Sequence, residues 1–350
     1  MQNEDVNAYA VLSEYDLGAV HEITEAGGTA GKTWRVATSS GPYFLRLRGV
    51  RTSAEARLRF DHGLRAYLVA HGVPTVSAVR TREGDQWVRQ HGRVYELYPY
   101  VAGRLFHPGN QSEIVQAARA LAKFHKTAAD YKPSSPRKEA IAQYTTLGFS
   151  DEVSDRLDDP RLQMIAMLGV RKLAGTAHDR SLADRCIARV AGLMHTYAGA
   201  AYARLTGWVI HGDYTPANLL FSEEGRVVGI FDLDWAVPGA RCRDVAEGLY
   251  FFATQPREIA SSDIWSLTDA ADFSPDRCRT FLKAYQSVAP LTPHEVEAIP
   301  SAFGAWWISI RLEGMAKVPQ SERFRFFSRE VEKPLLWFDA NWTCLRKESL

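Results

Sequence analysis

Four polar residues, His211, Asp213, Asn218 and Asp232, lie at spacings that could do chemistry between apolar, strand-like runs. Val209 and Ile210 end one such run, while Leu219 to Phe221 and Val227 to Phe231 read as two short strands with Ser-Glu-Glu-Gly as the turn between them. A hairpin of this kind brings Asn218 close to Asp232. Phosphoryl transfer needs one carboxylate to accept the proton of an attacking hydroxyl, and an amide oxygen with a second carboxylate to hold magnesium on the phosphates. Asp213 is the candidate catalytic base; Asn218 and Asp232 are the candidate metal ligands. Taken singly, His-Gly-Asp is a surface turn and an aspartate ending a strand is a solvated side chain, so the reading rests on the ordered set. His211 reads as a brace for the loop and is given no chemistry.

The segment VIHGDYTPANLLFSEEGRVVGIFDLDWAVPGARCRDVA resembles the catalytic loop and metal-binding strand of the aminoglycoside phosphotransferase and choline kinase superfamily, distant relatives of protein kinases. In that superfamily HGDxxxxN replaces the HRDxxxxN loop, and Asp213 and Asn218 keep its step. The resemblance also implies that Asp232 is the second metal ligand and that Asp244, in RCRDVA, buttresses the catalytic loop. Its implied cofactors are ATP and Mg2+.

Composition names no partner. Lys plus Arg is 42 against 41 for Asp plus Glu, so no bulk charge points to nucleic acid or an anionic membrane. The hydrophobic share of 46% and charged share of 24% are ordinary for a globular chain. With no apolar run of spanning length and no signal-peptide pattern in Met1 to Ala10, the expectation is a cytoplasmic protein. Cys186, Cys242, Cys278 and Cys344 form no CxxC pair, which argues against a zinc site and a disulfide framework.

The elements that must position these residues begin with a meander. Leu17 to Thr24, Thr33 to Thr38 and Tyr43 to Arg48 read as strands, and Gln86 to Arg89 and Arg93 to Tyr98 complete a five-stranded lobe. Between the first two strands, EAGGTAGK fits a loose P-loop, yet a P-loop opens a helix and WRVATSSGPYFLRLR is not helical. The loop is read instead as a kinase-type glycine-rich hairpin that sets the backbone amides of Gly27, Gly28 and Gly31 near phosphates. Ser53 is the expected cap of a helix running to about Ala70, with Ala54, Leu58, Asp61 and Leu68 on one face. A carboxylate in that apolar stripe needs a cation. Arg46 stands where kinases usually place a lysine, as it often does in the superfamily, so Asp61 is paired with Arg46; Arg48 is the competing cation.

Relatives read adenine with a carbonyl and an N–H placed four and two residues before a glycine. Counting back from Gly103 in YELYPYVAGR gives the Pro99 carbonyl and the Val101 N–H, and proline is admissible where only an acceptor is required. The register Val101 and Gly103 is also open. Beyond Gly103 the chain turns helical, with Ser112 capping a helix that holds His125 as a packed residue, and with helices near Pro275 to Ser287, Pro293 to Met315 and Ser321 to Leu345. Trp306 and Trp307 read as core and rim.

The expected fold is α+β and protein-kinase-like. It is bilobal, with a small antiparallel β-sheet lobe carrying one helix over residues 1–98, a hinge at 99–103 and a large mainly helical catalytic lobe over 104–350. The resemblance implies ATP-dependent phosphorylation of a small-molecule hydroxyl, with aminoglycoside-, choline- or homoserine-like acceptors. Asp213, Asp234 and Glu247 would crowd negative charge near the transfer site and favour an acceptor bearing an amine, unless Asp234 and Glu247 pair with Arg241 or Arg243. Two alternatives are a protein Ser/Thr kinase, disfavoured by the short span between Asp232 and Arg243, and a nucleotide-binding pseudokinase.

Overall fold

The computed structural model describes residues 8–26, 32–133, 158–260 and 263–349. Gly27, Gly28 and Gly31 lie outside them. Strands β1 (Val20–Ala26), β2 (Thr33–Thr38), β3 (Gly41–Leu47), β4 (Val88–Gln90) and β5 (Arg93–Pro99) form one antiparallel sheet in the order β1-β2-β3-β5-β4. The first strand starts later than its apolar pattern predicts, because Gly18 turns the chain at φ +65 and leaves Leu17 buried beneath the sheet. Val36, Leu45 and Leu97 make the core of this layer with Val11, on the short helix α1 (Ala8–Leu12), and Tyr15 just after it.

Helix α2 (Glu55–Ala70) connects the two halves. Leu58 and Asp61 are fully buried, but Phe60, Leu64 and Leu68 pack into the core of the large lobe rather than that of the sheet. Its N-cap is Ala54; the hydroxyl of Ser53 donates to the Gly49 carbonyl and caps nothing. Gly72, at φ +69, ends the helix.

The large lobe is helical: α3 (Gln111–Ala128), α4 (Pro160–Leu173), α5 (Ala177–Thr196), α6 (Gly199–Ala203), α7 (Cys242–Phe252), α8 (Ile264–Leu267), α9 (Pro275–Gln286), α10 (Pro293–Gly314), α11 (Arg323–Ser328) and α12 (Glu332–Ser349). Asn110, not Ser112, caps α3, its side chain accepting from the Ser112 N–H. The predicted last helix is two, broken where Glu330 takes φ 49. Phe326 and Phe327 of the RFRFF stretch are buried in the large-lobe core. Trp306 and Trp307 are both core. Among the described residues no helix is long and apolar enough to cross a membrane.

Two small ribbons cross this helical body. Strand β6 (Gly207–Ile210) pairs antiparallel with β9 (Val237–Ala240), and β7 (Leu219–Phe221) pairs antiparallel with β8 (Val227–Ile230). The segments that join the ribbons, 211–218 and 231–236, therefore face each other.

Candidate active site

The loop 211–218 is held at its start by one carboxylate. Asp244, on the first turn of α7, accepts from the His211 N–H at 2.6 Å and the Gly212 N–H at 3.1 Å, with the His125 Nε2 at 3.1 Å and an Arg243 guanidinium nitrogen at 3.1 Å. Burial alone would push this carboxyl up; the His125 hydrogen bond and the charges of His125, Arg243 and His211 hold it well below the usual carboxylate range. The buttress implied by the resemblance is present, and His125 is a packed histidine whose other nitrogen meets the Tyr285 hydroxyl. His211 braces as expected: its Nε2 meets the Phe231 carbonyl at 2.9 Å, and its Nδ1 accepts from the Asp213 N–H at 3.2 Å.

Asp213 and Asn218 are brought together. The Asn218 amide nitrogen donates to the Asp213 carbonyl at 2.8 Å and to its carboxylate at 3.0 Å, so by the planarity of the amide its oxygen points away from Asp213. The Phe231 N–H donates to the Asn218 carbonyl at 2.9 Å, which sets Asp232 beside Asn218. Asp232 is left-handed at φ 56 and ψ 59, a conformation that aspartate tolerates and that turns the carboxylate out of the hairpin. One of its oxygens accepts from Arg46 at 3.0 Å. Burial raises the Asp232 carboxyl, Arg46 lowers it, and Asp234 raises it again.

The expected Arg46–Asp61 pair does not form. Asp61 is bound by Arg48, with Arg57 at 3.4 Å, and Arg46 reaches instead across to Asp234, on which it closes a two-pronged contact of 2.8 Å and 2.8 Å. Arg46 lies on β3 and Arg48 one residue past its end, two positions apart, so the strand period admits both cations. The choice is made by Glu96 and Asp234: Arg48 takes Glu96 at 2.8 Å and lies 3.4 Å from Asp234, while Thr52 and Arg46 complete the Asp234 shell. Burial would raise Asp234, but Arg46 and then Arg48 pull it far below the ordinary range. Asp234 was placed near the transfer site by the sequence but given no Arg46 partner; a two-residue step from Asp232 was the available signal.

The expectation of open negative charge at Asp234 and Glu247 is also corrected. Glu247 accepts from Arg243 at 2.7 Å, from the Tyr214 N–H at 2.9 Å and from the Trp306 indole at 3.0 Å. Both carboxylates are neutralised within the fold, Glu247 by Arg243 and Asp234 by Arg46 and Arg48.

At the crossover, the Tyr100 N–H donates to the Pro42 carbonyl at 3.1 Å. Alternation along an antiparallel strand then turns the Pro99 carbonyl to the edge away from β3. Among the described residues the Val101 N–H makes no hydrogen bond. Gly103 passes against β7, where a Cβ would lie 3.0 Å from both Leu220 and the Phe221 carbonyl. Arg104 and Phe221 then exchange backbone hydrogen bonds of 2.9 Å and 2.8 Å.

This sheet-plus-helices body with a braced aspartate loop is the fold of small-molecule kinases. It superposes on an aminoglycoside phosphotransferase from Alicyclobacillus acidocaldarius with a TM-score of 0.65 at 18% identity, covering 99% of this chain and 98% of that one. It superposes likewise on amicoumacin kinase hAmiN, solved with AMP-PNP, Ca2+ and amicoumacin, with a TM-score of 0.64 at 13% identity over 95% and 94% of the two chains. In sequence, residues 22–291 match the phosphotransferase enzyme family (APH), and the chain belongs to that family. Homoserine kinase from Parvibaculum lavamentivorans is 27% identical over 297 residues, 85% of this chain and 80% of that protein. The chain is a small-molecule phosphotransferase with a hydroxyl acceptor.

Proposed function

We propose that this phosphotransferase moves the terminal phosphoryl group of ATP, with Mg2+, to the hydroxyl of a small acceptor that carries an amine, homoserine being the first candidate. The observation that carries the reading is the Asp213–Asn218–Asp232 arrangement on two facing segments. Asp213, held by the loop at the level of its own N–H and carboxylate, accepts the proton of the acceptor hydroxyl. Asn218 and Asp232 supply the oxygen donors that a hard divalent cation takes, and the metal, when bound, offsets charge on the phosphates. Among the described residues no three His, Cys, Asp or Glu side chains cluster as a metal site, which fits a metal held by two protein oxygens together with phosphates and water. Arg46, Asp61, Gly27, Gly28 and Gly31 complete the nucleotide site in this reading, Asp61 indirectly through Arg48. The Pro99 carbonyl and the Val101 N–H read the adenine.

The lobes divide as residues 1–98 and 104–350 about a hinge at 99–103, and ATP as donor fits a cytoplasmic setting. Support for the amine comes from relatives, whose names are homoserine kinase, aminoglycoside phosphotransferase and amicoumacin kinase, and not from Asp234 or Glu247. The test is ADP release with Mg2+ and ATP across homoserine, its deaminated analogue 4-hydroxybutyrate, amino alcohols, aminoglycosides and neutral sugars. Homoserine or another amine-bearing alcohol is expected to give the highest kcat/KM. A neutral sugar or 4-hydroxybutyrate as the best acceptor would overturn the amine; no transfer to any hydroxyl would overturn the reading.

A further inference from the structure

Helix α2 carries a cation that the site described above leaves unused. Arg65 lies one turn beyond Asp61 and is 2% exposed. Its neighbours are fully engaged: Arg48 binds Asp61 and Glu96, and Arg46 binds Asp234 and Asp232. Arg65 binds no carboxylate. Among the described residues its guanidinium makes no hydrogen bond or ion pair, and its Nε is wholly enclosed without an acceptor. Its guanidinium lies over the face of Tyr98, 5.2 Å from the ring centre. A contact of that kind offsets only part of the cost of taking a guanidinium out of water, so an enclosed arginine with open donors is a site prepared for an anion.

Its surroundings say which anion. Tyr98 immediately precedes Pro99 at the end of β5, and α2 packs against the turn Leu233–Trp235 that follows Asp232. Arg65 thus stands between the crossover and the metal-ligand candidate, where a nucleotide spanning the two would set its phosphates. Arg48 cannot serve there, being fully enclosed and saturated by Asp61, Glu96 and Thr52.

We propose that Arg65 is a phosphate-binding residue, whose guanidinium donates to phosphate oxygens of the donor nucleotide beside Asp232. This rests on the reading of the cleft as an ATP site. The test compares Arg65→Met, Arg65→Lys and the wild-type chain by isothermal titration with MgATP and with adenosine, alongside thermal unfolding without ligand. Adenosine carries no phosphate and isolates the base contacts. Arg65→Met is expected to weaken MgATP binding roughly tenfold to a hundredfold, the scale of losing one or two charge-assisted hydrogen bonds. It should leave adenosine affinity unchanged and the melting temperature equal or higher, since a buried unpaired charge has been removed. Arg65→Lys should recover part of the MgATP affinity. Wild-type MgATP affinity in the Met variant, or an equal loss for adenosine, would overturn the assignment and leave Arg65 a stacking cation. A wild-type chain that binds neither ligand would overturn the ATP reading itself, and this inference with it.

Discussion

Arg46 grips both oxygens of Asp234 at 2.8 Å each, across 188 positions of sequence, and with the same guanidinium touches Asp232 at 3.0 Å. The sheet is thereby fastened to the turn that carries the candidate metal ligand. Asp234 keeps most of the Arg46 charge to itself, leaving Asp232 only a shared nitrogen. Asp234→Asn should therefore turn Arg46 more fully onto Asp232 and make it a poorer metal ligand. The magnesium concentration that half-saturates ATP binding should rise by roughly tenfold, about 1.4 kcal/mol. A magnesium titration at fixed ATP reads this directly, and an unchanged midpoint would refute the coupling.

Asp213→Asn keeps the size of the side chain and an oxygen that Asn218 can still donate to, so the loop should stand. Turnover should fall by roughly a hundredfold or more, the scale of losing a general base, with MgATP affinity and melting temperature within error of wild type. Paired steady-state kinetics and nucleotide titration separate the two quantities.

For Asp232 the informative change is to asparagine, because alanine would add the strain of φ 56 to the loss of charge. Asp232→Asn should remove the magnesium dependence of ATP binding. Titrations with and without the metal should coincide in the variant and differ in the wild type.

Asp244 makes a prediction about pH. Its carboxyl is depressed in the folded chain, so its contribution to stability is complete above the ordinary aspartate value near 4 and is lost as pH falls below it. Asp61 and Asp232 have the opposite sign: burial raises both, so folding favours their protonated forms and their contribution falls as pH rises through the raised values. Asp244→Asn should cost about 3 kcal/mol at neutral pH, the scale of removing one partner from a buried charged network. The gap to wild type should narrow by about 0.7 kcal/mol by pH 3.5, the limit set by an unfolded-state aspartate value near 4. Urea unfolding of both proteins along a pH series measures it, and a constant gap would show that Asp244 contributes through shape and not charge.

The hairpin and its loop were legible because their signals are local: two short apolar strands, a Ser-Glu-Glu-Gly turn and polar residues at the strand ends. The role of Asp244 was legible through family resemblance alone, since nothing local distinguishes an aspartate that caps a distant loop. The Arg46–Asp61 pairing failed because a helix wheel tells which face Asp61 occupies but not which residue of β3 it meets. Arg46 and Arg48 are equivalent in the strand period, and the decision fell to Glu96 and Asp234, one on a neighbouring strand and the other on a remote turn. The Glu247–Arg243 pair was one of the alternatives the sequence offered, whereas the Tyr214 N–H and the Trp306 indole that share Glu247 are non-local and carried no signal. Errors at Ser53 and Ser112 were smaller. Each is a good cap by type, but Ser53 turned back to Gly49 and Asn110 reached the Ser112 N–H first.

The rung between Arg104 and Phe221 has a thermodynamic consequence. Through it the crossover that follows Pro99 and Val101 continues as a neighbour of β7, the strand that begins right after Asn218. The proposed reader of the base and the proposed holder of the metal are thus parts of one narrow ribbon. Base and metal are then linked ligands in the strict sense: whatever factor the bound base contributes to magnesium affinity, magnesium must return to the base in equal measure.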